Sequence, residues 1–187
     1  MQDDIISASE VILKGGVILY PTDTIWGLGC DATNEKAVQR IYEIKKRLDT
    51  KSMLVLLDNE NSLPRYVYEV PEVAWQILDV AENPLTLIYP GAINIAQNLI
   101  ADDGSIGIRI TSDSFCEKLI CKIHKPLVST SANISGKNSP SNFNEISDDI
   151  KRQVDYIVKW RQDDFSKKQP SGIIKVGLRG EVEVIRE

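Results

Sequence analysis

The sequence holds a single histidine, His124, and three cysteines, Cys30, Cys116 and Cys121, with no C-x-x-C pair among them. That scarcity excludes metal chemistry built on His or Cys and argues against a disulfide frame, so the cysteines read as reduced thiols. His124 lies near a predicted helix end, where it serves as a terminal cation or a solvated side chain. No long apolar run is present; the longest, Met53–Leu57, is far too short to cross a bilayer. The chain opens Met1-Gln-Asp-Asp4, acidic where a secretory signal would be basic. These absences predict a cytoplasmic protein that does not engage a membrane. Positive charge is in the minority, with 22 Lys+Arg against 27 Asp+Glu and a net charge of -5. An acidic total argues against broad coating of nucleic acid, which calls for a basic surface. It says nothing against a small anion, because a site responds to its local charge.

What is present is an ordinary globular composition, 42% hydrophobic and 26% charged over 187 residues, with no repeat and no linker that would divide the chain. Apolar runs at Val17–Tyr20, Met53–Leu57, Leu85–Tyr89, Ile106–Ile110 and Leu127–Thr130 predict strands, as do 156–158, 173–176 and 182–185 nearer the end. Between them, Ala37, Val38, Ile41 and Ile44 form one helical stripe, with Asn34 placed to cap it. Val73, Ile77, Val80 and Ala81 predict a second helix with Pro71 in its first turn, and Phe115, Leu119, Ile120 and Ile123 a third. Alternating strands and helices give a single α/β domain over residues 1–187, built around a mixed sheet.

Segments that resemble nucleotide-binding signatures lack the context those signatures need. Gly27-Leu-Gly-Cys-Asp-Ala32 fits G-x-G-x-x-A, but residues 21–26 separate it from the preceding strand and the helix starts only near Asn34. A dinucleotide fingerprint must join strand to helix directly, so this segment reads as a glycine turn. Gly136-Lys137 is followed by Asn138 where a P-loop needs Ser or Thr, and the kinase set is absent. Three other segments carry more. Lys36, Arg40, Lys45, Lys46, Arg47 and Lys51 face only Glu43 and Asp49, a local excess of +4 in an acidic chain. A solvated helix face accounts for part of it, but Lys45, Arg47 and Lys51 fall where the helix ends and could converge on a polyphosphate. Ser129-Thr-Ser-Ala-Asn-Ile-Ser-Gly136 follows an apolar strand and reads either as a turn or as a pocket wall of small hydrogen-bonding groups. Tyr20-Pro-Thr-Asp-Thr-Ile-Trp-Gly-Leu-Gly29 is polar at a strand end, then aromatic.

In order and spacing these segments resemble the YrdC-type threonylcarbamoyl-AMP synthases. The resemblance runs from Gly15-Gly16 to Arg186 and takes in Pro21–Ala32, Lys45-x-Arg47 with Lys51, Gly107-Ile-Arg109, Ser131-x-Asn133 with Ser135-Gly136, and Pro170-Ser171. It implies a YrdC-like fold, a twisted mixed sheet flanked by helices around a deep, positively charged cavity, in the short, single-domain form. It also implies condensation of L-threonine, bicarbonate or CO2, and ATP to threonylcarbamoyl-AMP and pyrophosphate. Downstream tRNA threonylcarbamoyl-transfer proteins would then modify the adenosine beside the anticodon. By the same resemblance Lys45 and Arg47 are catalytic, and Arg47, Lys51, Ser105, Ser131, Asn133, Ser139 and Arg186 bind ATP. Thr24, Arg109, Ser129 and Ser171 bind threonine, with Arg109 on its carboxylate. Magnesium is expected to arrive with ATP, with no metal site of the protein's own.

The chain departs from the family pattern at several positions. Trp26 replaces a usual tyrosine, Leu48 and Ser52 usual prolines, and Leu56 a histidine that contacts threonine in some relatives. Thr111 replaces a proline after Arg109, and Gly172 a threonine after Ser171. Weak direct binding of tRNA is a further partner expected of the synthase; the alternative is an RNA-binding or regulatory member of the fold without synthase activity, and a nicotinamide-dependent oxidoreductase is a distant third. Residues 160–169 read as a surface loop rather than a lid.

Overall fold

The computed structural model describes residues 1–46, 53–166 and 168–187. Strands form where the apolar runs predict them: β1 (Ile18–Tyr20), β3 (Leu54–Leu57), β4 (Leu85–Tyr89), β5 (Ile106–Ile110), β6 (Leu127–Ser131), β7 (Tyr156–Ile157), β8 (Gly172–Val176) and β9 (Val182–Arg186). One more, β2 (Gly27–Gly29), lies where the sequence reads as a glycine turn. The reason is steric. Strand β2 runs antiparallel between β1 and β6, and a Cβ on Gly29 would sit 2.6 Å from Tyr20 Cε1 and 2.8 Å from the Val128 carbonyl oxygen. Glycine therefore leaves room for a buried tyrosine ring, whose hydroxyl donates to the Val128 carbonyl at 3.0 Å. The strand predicted over Leu127–Thr130 forms as β6 and extends through Ser131.

Among the described residues the α-helices are α1 (Gln2–Leu13), ahead of β1, and α2 (Glu35–Ile44), α3 (Glu72–Val80), α4 (Ser114–Ile123) and the short α5 (Asp148–Lys151) between strands. Asn34 caps α2 as expected, its side chain accepting from the Lys36 and Ala37 N–H groups. Asp113 does the same for α4, which ends on His124 in a left-handed conformation. Pro71 stands at the N-cap of α3 rather than inside its first turn. That helix buries Ala74, and Val73 and Ile77 of the predicted stripe pack against the core, whereas Val80 and Ala81 at its end are exposed. Helix α1 goes unread in the sequence, although Ile5, Ala8 and Ile12 recur at helical spacing and are fully buried.

The described strands make one twisted mixed sheet in the order β7-β1-β2-β6-β3-β5-β4-β8-β9. Side chains alternate across it. Leu19, Val55, Leu57, Ile108 and Val128 enter one core together with the α2 stripe. Ile18, Tyr20, Leu56 and Leu127 enter a second core with α1 and α4. Both faces are thus apolar where helices cover them, and the cover over the second face is only partial.

Candidate active site

The register shows what happens where α1 and α4 stop. Leu56 of β3 pairs with Arg109 of β5, Leu54 with Ser129 of β6, Gly107 with Ile88 of β4, Thr86 with Ile173 of β8, and Ser131 with Gly27 of β2. Paired residues point the same way, so this face changes from Leu and Tyr to Gly, Ser, Thr and Arg as it leaves the helices. Small and polar side chains there leave a cavity of about 240 Å³. Its walls take Thr24 and Trp26 from the β1–β2 connection, Ser139 from the loop after β6, and Pro170, Ser171 and Arg186 from the end of the chain. Among the described residues lining it, the charged ones are Arg109 and Arg186.

Several polar groups in the wall are held by specific partners. Thr22 and Thr24 join their hydroxyls at 3.0 Å, and the Thr22 hydroxyl also donates to the Ile25 carbonyl, which fixes the turn that presents Thr24. Thr86 Oγ1 and Ser171 Oγ lie 2.8 Å apart, both buried. Arg109, 2% exposed, places Nη2 at 2.9 Å from Asp23 Oδ1. Arg186 donates through Nε and Nη2 to the Ser171 carbonyl at 2.9 and 2.7 Å. Burial, aided by the Arg109 charge, lowers the Arg186 pKa from its ordinary value, as expected where a cation loses solvent beside another cation. Trp26 packs on Phe143 with ring centroids 4.9 Å apart, and the Lys151 ammonium sits 4.4 Å from the Phe143 centroid. The Cys30 and Cys116 thiols are pushed up by burial and so hold little thiolate.

Seven of the residues predicted for the site line this cavity: Thr24, Arg109, Ser129, Ser131, Ser139, Ser171 and Arg186. Three others are placed behind or beside it. Lys45 is buried at the C-cap of α2 and donates to the Ser131 and Asn133 carbonyls, the latter at 2.9 Å, so it supports the wall from beneath. Asn133 donates to the Ile134 and Lys137 carbonyls at 3.1 and 2.7 Å and thereby shapes the turn that follows Ser131. Ser105 is tied to Asp103, which accepts from its backbone N–H at 3.0 Å and its hydroxyl at 2.5 Å. Arg47 and Lys51, with Leu48 and Ser52, lie outside the described residues. The rest of the basic cluster does not gather on the cavity. Arg40 pairs with Asp155 and donates to the Gln153 carbonyl at 2.8 Å, and Lys36 is exposed.

The departures also find their places. Leu56 is fully buried with Tyr20 and Phe115 rather than lining the cavity. The Thr111 hydroxyl accepts from the Asp113 N–H at 3.2 Å. A Cβ on Gly172 would stand 3.2 Å from Leu85 Cδ1 and 3.6 Å from the Arg186 carbonyl. Thr86 and Asp23 were not assigned roles from the sequence. The signal for Thr86 was a lone hydroxyl inside the apolar run of β4. The loop at 160–169 is anchored at its start: Trp160 N–H donates to Asp4 Oδ2 at 3.1 Å, and Arg161 donates to the Thr22 carbonyl at 2.8 Å and pairs with Asp113. No helix among the described residues is long and apolar enough to cross a membrane.

The Sua5–YciO–YrdC family, described as Telomere recombination, matches residues 10–187. The threonylcarbamoyl-AMP synthase of Pseudoalteromonas translucida is 34% identical over 160 residues, covering 84% of this chain and 86% of that protein. The crystal structure of Escherichia coli YciO superposes with a TM-score of 0.85 at 28% identity, over 100% of this chain and 90% of that one. The structure of P. abyssi Sua5 complexed with L-threonine gives a TM-score of 0.82 at 26% identity over 92% of this chain. The chain spans about half the length of that protein, 50%. The chain belongs to the Sua5–YciO–YrdC family.

Proposed function

We propose that the protein is an L-threonylcarbamoyladenylate synthase, a nucleotidyltransferase that joins L-threonine, CO2 or bicarbonate, and ATP. The observation that carries this reading is that seven residues assigned by resemblance, drawn from distant parts of the chain, line one cavity. Identity of 34% to a protein named for this activity, over most of both chains, supports it.

The threonine amine first adds to CO2 and loses a proton, giving a carbamate; from bicarbonate the same carbamate forms with loss of water in place of the proton. A carbamate oxygen then attacks the α-phosphorus of ATP, the bond from that phosphorus to the bridging oxygen breaks, and pyrophosphate leaves. Both reactants are anions, so the protein contributes chiefly alignment and charge neutralisation. Thr24, Ser129 and Ser171 surround the amino acid and Arg109 receives its carboxylate. Ser131, Ser139 and Arg186 face the nucleotide. Arg47 and Lys51 take the triphosphate by the same resemblance, with Lys45 and Asn133 supporting that wall and Ser105 beyond it. The charge of the described lining is cationic, and its oxygens are hydroxyls and carbonyls with no carboxylate. That donor set suits a magnesium ion carried by the triphosphate, which would offset the charge of the departing pyrophosphate. The product would pass to tRNA threonylcarbamoyl-transfer proteins in the cytoplasm.

The test is direct: purified protein with ATP, threonine, bicarbonate and magnesium, followed for pyrophosphate and for the adenylate by mass spectrometry. Absence of threonine-dependent pyrophosphate release overturns the reading. High-affinity tRNA binding without ATP affinity would favour the RNA-binding alternative instead.

A further inference from the structure

Thr86 interrupts the apolar run of β4 with an aliphatic hydroxyl. Its methyl is the atom nearest to a Cβ built on Gly107, at 3.4 Å, and its Oγ1 lies 2.8 Å from Ser171 Oγ. Both residues line the cavity and both are buried. Among the described residues neither hydroxyl makes a further hydrogen bond. A hydroxyl pair uses one proton and one lone pair internally, so one proton and several lone pairs stay free. Buried groups of this kind ordinarily find partners, and the cavity is the open side. Around the pair the floor is aliphatic: Ile88 follows on the same face of β4, and Ile173 stands opposite Thr86 on β8. The notch is therefore amphipathic, a neutral donor and acceptor beside apolar surface. Its flanks are cationic. The β4–β5 register pairs Leu87 with Ile108, which brings Arg109 level with Thr86. Arg186 holds the Ser171 carbonyl through two donors, and the Arg109 charge is felt at Arg186. Asp23 answers Arg109 from outside the lining, and the hydrogen bonds of Arg186 go to a neutral carbonyl. An ammonium in the notch would meet uncancelled positive charge, whereas a hydroxyl would not.

We propose that Thr86, together with Ser171, recognises the side-chain hydroxyl of the amino-acid substrate, so that the site takes a β-hydroxy α-amino acid in preference to the isostere without the hydroxyl. The inference rests on the amino-acid assignment above and adds a residue that determines which amino acid is taken. Neighbouring strands lie about 5 Å apart, so a substrate whose carboxylate meets Arg109 on β5 places its Cβ substituents over β4. The hydroxyl joins the Thr86–Ser171 pair, donating to one oxygen and accepting from the other. The methyl on the same carbon lies against Ile88 and Ile173. A ligand without the hydroxyl leaves a buried proton and lone pairs unanswered, which a site built on hydrogen bonds penalises more heavily than an apolar pocket penalises a missing methylene.

The experiment compares L-threonine with L-2-aminobutyrate, the same carbon skeleton without the hydroxyl, by calorimetry without ATP and by KM in pyrophosphate release. The unaltered protein is expected to prefer threonine by roughly tenfold or more. Thr86→Val is expected to weaken threonine by roughly five- to tenfold and to move 2-aminobutyrate by less than about twofold, so the preference narrows. General structural damage would weaken both ligands alike. Thr86→Ser keeps the hydroxyl and is expected to keep the preference. Equal affinities in the unaltered protein overturn the proposal without any variant, so misfolding of Thr86→Val does not shelter it. Parallel weakening of both ligands in a folded Thr86→Val, or loss of the preference in Thr86→Ser, overturns it too, and leaves the synthase reading standing if threonine-dependent pyrophosphate release persists. Absence of both threonine binding and pyrophosphate release in the unaltered protein overturns the two together.

Discussion

Thr86 and Ser171 offer a clean perturbation, because Thr86→Val deletes one hydroxyl and keeps the shape. In the structure their oxygens are 2.8 Å apart, with the residues 2% and 3% exposed. One hydroxyl donates and the other accepts, so deleting either strands its partner in a buried setting. Leaving one such group unsatisfied costs about 1–3 kcal/mol, whereas removing both can be nearly neutral. The expected pattern in urea unfolding is therefore two single variants, Thr86→Val and Ser171→Ala, each destabilised by about 1–3 kcal/mol, and a double variant much less than the sum. Because Ser171 faces the cavity, Thr86→Val should also raise the KM for threonine several-fold while the KM for ATP stays within about twofold. Additive stability losses would refute the hydrogen bond. Equal rises in both KM values would refute the assignment of Ser171 to the amino-acid end.

Two glycines give opposite expectations. Gly29→Ala places a Cβ 2.6 Å from Tyr20 Cε1 and 2.8 Å from backbone, and should cost roughly 1–3 kcal/mol in thermal or urea unfolding. Gly107→Ala meets nothing closer than 3.4 Å, so it should fold normally yet weaken substrate binding, because the added methyl enters the cavity; unchanged kinetics would show that the floor is elsewhere. Lys45→Met should lower stability by roughly 2 kcal/mol or more, since two carbonyls lose a charged donor, and should raise the KM for ATP through displacement of Ser131. A pH series probes the hydrogen bonds from Lys175 and Ser105 that hold the Asp103 carboxyl down to about 2. A depressed carboxylate contributes stability that is present above its unfolded pKa and is lost as pH falls through the folded one. Lys175→Met should therefore flatten the loss of stability between about pH 4 and pH 2 seen in acid titration.

Most of the sheet was legible because buried strands announce themselves by composition: Val17–Tyr20, Leu54–Leu57 and Ile106–Ile110 could hardly be anything else. Strand β2 was illegible for the opposite reason. Gly27-Leu-Gly29 has no strand propensity, and its conformation is imposed by Tyr20 and by pairing on both sides, a tertiary decision that overrides local preference. Helix α1 was legible and missed, since its spacing of Ile5, Ala8 and Ile12 is regular and only its acidic start drew notice. For the site, residue type located the walls but not their supports. Lys45 has the charge of a phosphate ligand, yet its ammonium goes to two carbonyls, a use that no spacing rule distinguishes from the first.

The net charge illustrates the same limit in another form. A sum of -5 describes the exterior, and the described lining of the cavity contains two arginines and no acid. Even that lining is not uniform. Asp23, four residues from Gly27 in sequence and absent from the cavity lining, pairs with Arg109 at 2.9 Å. Charge counted along the chain could reveal a basic cluster at 36–51, but it could not reveal that Arg40 is spent on Asp155 or that Arg109 carries its counter-ion behind it.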